Sequence, residues 1–479
     1  MTEINTRKVT GGILWTTLSY LNNRLLKVLA QAVLARMLTP ELFGIWAMVQ
    51  VQLVFYEIFR ESSIAQVLVQ RDYRDRTLSN AVYSFAIDFA IGLFIVQIIL
   101  GYFISEFFGS PIVWPLTAAA AVTLLISAGS TCHRSVLVHQ LRFRELMLID
   151  STANVGGLFA TLGWAASGAG VWSFIAGYLT TAFIRSFLLR RRSGFRFSFY
   201  WWPNWPVLKE VKGFIGGVMA VQLATYTNNN ADTLLIGKLL GAASLGQYNI
   251  AYQLAMLPLF VLTRCQVVNF SVLSQQNRKQ QISFFYQALS LNALMGAFVY
   301  GSAFISAGWL IPLIYGEQWT DAVGLFQILC IYAYARLFFK TFGTLLNATN
   351  KAGYNGLINW LLIPLSIPAY WYGAQWGGTT GVAISVSAVL GVAGTLGFLL
   401  VSTCVAQLSL GNVVKMIGLP TVSMLLALYV VAHQPFVLHK LFEPFCLTII
   451  YLLIASILSR GEVPQTLVKL GKKSFSRPT

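Results

Sequence analysis

Ionisable side chains stand in the middle of apolar runs at several points in this chain, and each costs several kcal/mol there unless it meets water or a partner. In the first run Tyr20, Asn23, Arg24, Lys27 and Gln31 recur at three- and four-residue spacing, which puts them on one helix face. Glu57, Arg60 and Glu61 follow in the second run and Asp88 in the third; later come Thr225, Tyr226, Asn229 and Asp232, then Arg264, then Arg336 and Lys340 four residues apart. The deep cations Arg24, Lys27, Arg60, Arg264, Arg336 and Lys340 outnumber the deep anions Glu57, Glu61, Asp88 and Asp232, so a cavity that gathered them would be basic. Arginine grips phosphate through paired N–H donors and lysine adds a mobile point charge. That set suits a diphosphate, with Tyr20, Tyr226, Tyr252 and Tyr332 placed to stack on sugar faces. Arg60 can instead pair with Glu57 along its own helix, whereas Arg24, Lys27 and Arg336 have no neighbouring acid in theirs and are assigned to ligand contact. Glu57, Asp88 and Asp232 are the deep carboxylates available to couple transport to a proton or sodium gradient.

The elements that must hold these residues cross a membrane. Of 479 residues 56% are apolar and 10% charged, whereas about a quarter are charged in an ordinary soluble domain. At about 20 residues per span, the apolar runs predict an all-α integral membrane fold of about 14 transmembrane helices with no aqueous domain. The net charge of +17 would suggest nucleic acid in a soluble chain, but here the lysines and arginines sit in short connectors. With the N-terminus inside, only Arg36, Lys238 and Lys440 fall in outer connectors, which puts both termini in the cytoplasm. Arg7 and Lys8 precede a run that carries Arg24 and Lys27 and extends past Leu34, so it reads as a retained first helix and not a cleaved signal.

A shift of 202 residues lays Val9 on Val211, Gly11 on Gly213, Arg36 on Lys238, Leu38 on Leu240 and Gly44 on Gly246. Six helices fill each copy, so the copies share one orientation, as two pseudo-symmetric six-helix lobes with a binding site between them. The predicted organisation is an N-lobe at 1–189, a basic aromatic cytoplasmic linker at 190–212, a C-lobe at 213–403, two further helices at 404–459 and a basic cytoplasmic tail at 460–479. Within it, spans are expected near 80–104, 112–131, 147–167, 170–189, 213–235 and 246–272. Residues 195–206 are rich in Phe, Tyr and Trp and read as an anchor in the headgroup region. Gly213 with Gly217 and Gly237 with Gly241 read as close helix packing.

Leu34 to Gly44, Leu-Ala-Arg-Met-Leu-Thr-Pro-Glu-Leu-Phe-Gly, resembles the first-to-second helix turn of bacterial polysaccharide flippases of the multidrug/oligosaccharidyl-lipid/polysaccharide exporter superfamily. Val69 to Asp72, Leu235 to Pro258 and Ile314 to Trp319 are similar to the same family. Ser271 departs from it, standing where the family commonly has a proline. The resemblance implies an inner-membrane transporter and not an enzyme. Its cargo would be an undecaprenyl-pyrophosphate-linked oligosaccharide passed from the cytoplasmic to the outer leaflet, with a polysaccharide polymerase and a chain-length regulator as partners. No cofactor or metal is expected: the five cysteines are scattered without CxxC spacing, the four histidines have no acidic or thiol neighbours arranged around them, and no phosphate-binding glycine loop is present. Two rivals are a drug or cation antiporter of the same superfamily, whose cargo favours an acidic cavity, and a membrane polymerase or glycosyltransferase acting on the same lipid-linked sugar. A lipid-linked peptidoglycan precursor is a third candidate cargo, since it too presents a diphosphate on a polyprenyl chain.

Overall fold

The computed structural model describes residues 22, 26–61, 68, 74–201, 212–273, 278–349, 351–433 and 443–458, with the side chains of 57–61, 212–221, 264–273, 278–279, 352 and 406 outside that description. Among the described residues every regular element is helical. After helical residues 26–37 come α1 (Pro40–Glu61), α2 (Arg76–Phe108), α3 (Val113–Ser127), α4 (Ser130–His139), α5 (Phe143–Ala166) and α6 (Trp172–Ser193). Then follow α7 (Lys212–Leu273), α8 (Arg278–Tyr315), α9 (Ala322–Ala348), α10 (Ala352–Val386), α11 (Gly394–Ala406), α12 (Leu410–Ala432) and α13 (Glu443–Leu458). Among the described residues, seven stretches of helix are long and apolar enough to cross a membrane, or eight if the bent α3–α4 pair is one span. The long α7 is broken at Gly241 (φ 83°, ψ 179°) and α10 at Gly377 and Gly378.

The chain divides into two compact units, residues 1–249 with 370–379 and residues 250–369 with 380–479. In the first unit α2 starts where Asp75 accepts hydrogen bonds from the N–H groups of Thr77 and Leu78 at 3.0 and 3.3 Å, and ends at the left-handed Gly109, the cap chemistry expected at each end. Its 33 residues span about 50 Å, more than a bilayer core of about 30 Å, so α2 extends beyond the apolar region. Residues 195–201 are fastened along its first turns. Arg76 donates to the Arg196 carbonyl at 2.7 Å, and the N–H groups of Ser198 and Tyr200 donate to Asn80 and Ser84, each at 2.9 Å. Successive partners advance two residues on the strap and four on the helix, rises of about 6.6 and 6.0 Å that stay in register for an extended chain. Between them Phe195 lies 4.6 Å under the Arg76 guanidinium and Phe197 stacks on Tyr83 at 4.8 Å. The aromatic linker is thus tied to the N-terminal half, at least as far as Trp201.

Small residues set the helix approaches. A Cβ added at Gly157 would lie 2.8 Å from the Gly177 carbonyl oxygen, and one added at Gly177 would lie 2.8 Å from that of Gly157, so α5 and α6 meet backbone to backbone. Thr161 and Thr181, four residues further along each helix, donate back to Gly157 and Gly177 at 2.9 and 2.8 Å, which keeps their hydroxyls satisfied at the contact. A second reciprocal contact joins the positions equated by the 202-residue shift. A Cβ on Gly44 would lie 2.5 Å from the carbonyl carbon of Ala242, and one on Gly246 would lie 2.8 Å from that of Pro40. Residue 40 maps to 242 and 44 to 246, so each half of the contact is the image of the other, as a local two-fold relation produces. Gly241, by contrast, has no atom within 4 Å of an added Cβ; its positive φ breaks α7, and it does not serve close packing as its spacing from Gly237 suggested.

In the second unit α8 packs on α9 and α12, and α12 on α13. Leu294, Ala297, Met424, Leu447 and Tyr451 form the shared apolar core. The Tyr451 hydroxyl donates to the Leu294 carbonyl at 3.0 Å and Tyr334 shares a hydrogen bond of 2.9 Å with Thr421. These bonds fix the last two helices against α8 and α9.

Candidate functional site

The predicted site residues distribute as follows. Tyr20 and Arg24 lie outside the described residues, and Glu57, Arg60, Glu61 and Arg264 lie on α1 and α7 with their side chains outside the description. Lys27 is exposed on the helical stretch 26–37, and Asp88 is half-buried on α2.

Tyr226 and Asp232 belong to the first unit, on the part of α7 before the Gly241 break. The Tyr226 hydroxyl donates to the Val51 carbonyl at 2.8 Å, and its ring stands edge-on to Phe55 at 5.4 Å. The phenol therefore ties α7 to α1. Asp232 is 3% exposed and lies almost two turns further along α7. The Tyr248 hydroxyl donates to its Oδ2 at 2.5 Å and the Thr233 N–H to its Oδ1 at 2.7 Å. Tyr248 comes from beyond the break, so the break is what folds the hydroxyl back onto the carboxylate. A carboxylate held this way has defined geometry and two donors, and a change in its protonation would be felt directly by Tyr248.

Arg336 and Lys340 belong to the second unit, one turn apart on α9, as their spacing predicted. Arg336 is 6% exposed, with its guanidinium 4.1 Å from the Phe339 ring centre and 6.0 Å from that of Tyr332. The Lys340 ammonium lies 5.0 Å from the ring centre of Phe260 on α7. Tyr252 and Tyr332 approach to 6.1 Å. Cations over aromatic faces in a low-dielectric setting retain part of their solvation through the ring quadrupole, and here the aromatic residues surround the charge from α7 and α9 together.

One polar constellation was missed by sequence reasoning. Asp150 on α5 is shared by Arg134 of α4, at 3.1 Å, and Arg185 of α6, at 3.2 Å, and Arg185 also donates to Asn154 at 3.2 Å. The available signal was the set of three charges near the inner ends of three successive predicted helices, which only the packing of α4, α5 and α6 brings together. Beside it, His133 bonds to the Ser193 hydroxyl at 2.7 Å and meets Phe197 edge-on at 4.9 Å.

The protein family described as "Polysaccharide biosynthesis protein" matches residues 33–324. The lipopolysaccharide biosynthesis protein WzxC of Escherichia coli K12 is 25% identical over 410 residues, covering 82% of this chain and 78% of WzxC. Among solved structures, the lipid II flippase MurJ in an inward closed conformation superposes with a TM-score of 0.80 at 15% identity, covering 94% of this chain and 100% of MurJ. An inward-facing multidrug transporter of the MATE family gives 0.62 at 14% identity over 79% of this chain and 93% of its own. At these identities the two structural likenesses speak for the fold, which is that of membrane transporters. The matched family covers more than half of the chain, and the described apolar helices make this a multi-pass membrane protein: the chain belongs to the polysaccharide biosynthesis protein family.

Proposed function

We propose that this protein translocates undecaprenyl-pyrophosphate-linked oligosaccharide repeat units from the cytoplasmic to the outer leaflet of the inner membrane. The observation that carries the reading is the burial of ionisable groups inside apolar helices, Arg336 at 6% exposure on α9 and Asp232 at 3% on α7, in a chain of a polysaccharide family. Such groups are retained inside spans where a polar cargo or an ion must pass. In the proposed architecture about 14 spans form an N-lobe (1–189) and a C-lobe (213–403), with both termini cytoplasmic. The lobes rock about a central cavity, the sugar diphosphate crosses within it, and the lipid tail stays in the bilayer. The reciprocal meeting of Gly44 with Ala242 and of Gly246 with Pro40 supports the duplication behind that plan. Arg24, Lys27, Arg60, Arg264, Arg336 and Lys340 are assigned to the diphosphate, Tyr20 and Tyr226 to the sugars, and Glu57, Asp88 and Asp232 to ion coupling.

WzxC is named for lipopolysaccharide biosynthesis and MurJ for flipping lipid II, and both names fit a lipid-borne sugar as cargo. The motif from Leu34 to Gly44 favours polysaccharide over a peptidoglycan precursor, and the excess of deep cations disfavours a cationic drug. Arg24→Ala, Lys27→Ala and Arg336→Ala, each at wild-type protein level, are expected to reduce surface polysaccharide. Normal production by all three variants removes the cavity assignment.

A further inference from the structure

The segment from Val113 to His139 is an apolar helix broken partway, with α3 and α4 meeting at 47°. Gly129 makes the break: its φ of 71° is left-handed, and an added Cβ would lie 2.9 Å from the Tyr83 ring carbon Cζ, so both conformation and space require glycine. A broken helix exposes the last carbonyls of one half and the first N–H groups of the other. Arg190 serves the carbonyl side by donating to the Ala128 oxygen at 2.9 Å. The N-terminus of α4, the positive end of its dipole, has no side-chain cap.

That end borders a partly open recess of about 70 Å³, lined by Ser130, Thr131 and Arg134 with Tyr178, Arg185 and Ser186 of α6. This is room for about five water-sized groups, the size of one phosphate or carboxylate. Arg134 spends only Nη1 on Asp150, and Arg185 donates from Nη2 to Asn154 while its Nε makes an ion-pair contact with Asp150 without a hydrogen bond, so Nε and Nη2 of Arg134 and Nε and Nη1 of Arg185 have no hydrogen-bond partner among the described residues. Ser186 is 4% exposed, and its hydroxyl likewise has no partner among the described residues. Two guanidinium groups against one carboxylate leave an excess positive charge. The Ser130 hydroxyl donates back to the Ser127 carbonyl at 2.7 Å, leaving its lone pairs to accept from a ligand hydroxyl. Spare guanidinium donors at the positive end of a half-helix suit an oxyanion, and the back-bonded hydroxyl suits a ligand that also carries alcohol groups.

We propose that the recess at the α3–α4 break is an anion subsite that holds a phosphate or carboxylate group of a carbohydrate ligand. It deepens the flippase reading and rests on it for the identity of that ligand. The anion comes from one of two sources, the diphosphate of the lipid carrier or an acid group on the sugar.

The test is calorimetric titration of the purified full-length protein in detergent at constant ionic strength, with inorganic pyrophosphate, glucuronate and neutral glucose as probes. At least one anion is expected to bind saturably and glucose not to bind. Arg134→Gln is expected to weaken the anion about tenfold or more. Ser186→Ala removes a hydroxyl with no described protein partner, so it is expected to keep the wild-type melting temperature while weakening the anion several-fold; it keeps the test decisive if Arg134→Gln fails to fold. Pyrophosphate binding alone points to the carrier diphosphate and glucuronate binding alone to an acidic sugar. No saturable binding of either anion, or binding unchanged in both variants, overturns the subsite. Because no transport is measured, that failure leaves the flippase reading standing, and lost flipping with anion binding intact would count against the flippase reading alone.

Discussion

The reciprocal contact of Gly44 and Gly246 allows a quantitative test. A Cβ on Gly44 would overlap the Ala242 carbonyl oxygen and lie 2.5 Å from its carbon, and ordinary contact begins at 3.4 Å, so Gly44→Ala must part the two backbones by more than about 0.9 Å. For Gly246→Ala the added Cβ overlaps the Pro40 carbonyl oxygen and starts 2.8 Å from its carbon, so the required parting is more than about 0.6 Å. Neither obstacle is a flexible side-chain tip, so each substitution carries an overpacking cost of about 1–3 kcal/mol, with Gly44→Ala the larger. Both substitutions open the same contact. Once one alanine has parted the backbones the second has less to displace, and the double variant should lose less than the sum of the single losses. Gly163→Ala on α5, where an added Cβ meets no atom within 4 Å, is the control and should be neutral or stabilising through helix propensity. Thermal unfolding of the purified proteins, followed by tryptophan fluorescence, reads all four. Wild-type melting of both single variants, or strictly additive losses in the pair, would rule out a shared backbone contact.

Three further outcomes are expected. Asn80→Ala with Ser84→Ala removes two hydrogen bonds to the strap, each worth about 1 kcal/mol, and should speed amide hydrogen exchange at Ser198 and Tyr200; unchanged exchange would mean that the strap is held by its aromatic contacts alone. Asp232→Asn keeps one oxygen as acceptor for the Thr233 N–H and turns an NH2 toward the Tyr248 hydroxyl, which then accepts instead of donating; the amide cannot ionise, so the protein should fold and lose gradient-driven transport, whereas wild-type driven transport would remove Asp232 from the coupling role. Tyr226→Phe deletes the bond to the Val51 carbonyl and should cost about 1 kcal/mol of stability, measurable as a lowered melting temperature; no change would show that water replaces that bond without loss.

Apolar run length was the part of the fold most legible in the sequence. The spans expected near 80–104, 147–167 and 170–189 correspond to Arg76–Phe108, Phe143–Ala166 and Trp172–Ser193, because about 20 apolar residues leave a chain few options in a bilayer. The turn at Leu34–Gly44 was legible as a family motif, and its glycine is the residue that meets Ala242. The helix α4 was not legible as a helix. Its residues Ser130 to His139 are largely polar and mostly follow the span expected near 112–131, yet Cys132, Val136 and Leu137 are fully buried, since protein and not lipid covers that stretch. Gly241 shows the limit of spacing as evidence: a four-residue glycine interval does not distinguish a packed face from a helix break. The pairing of Asp150 with Arg134 and Arg185 depends on how three helices pack, which no local pattern encodes.

Reconstitution tests whether this protein carries a lipid-linked oligosaccharide across a bilayer. Vesicles holding the purified protein and an undecaprenyl-pyrophosphate-linked oligosaccharide in both leaflets are treated with a membrane-impermeant sugar-cleaving enzyme. The inner-leaflet share is expected to become accessible over time at a rate that rises with protein content and falls in Arg336→Ala. Protection of that share equal to protein-free vesicles, with an ion gradient imposed in either direction, would contradict it.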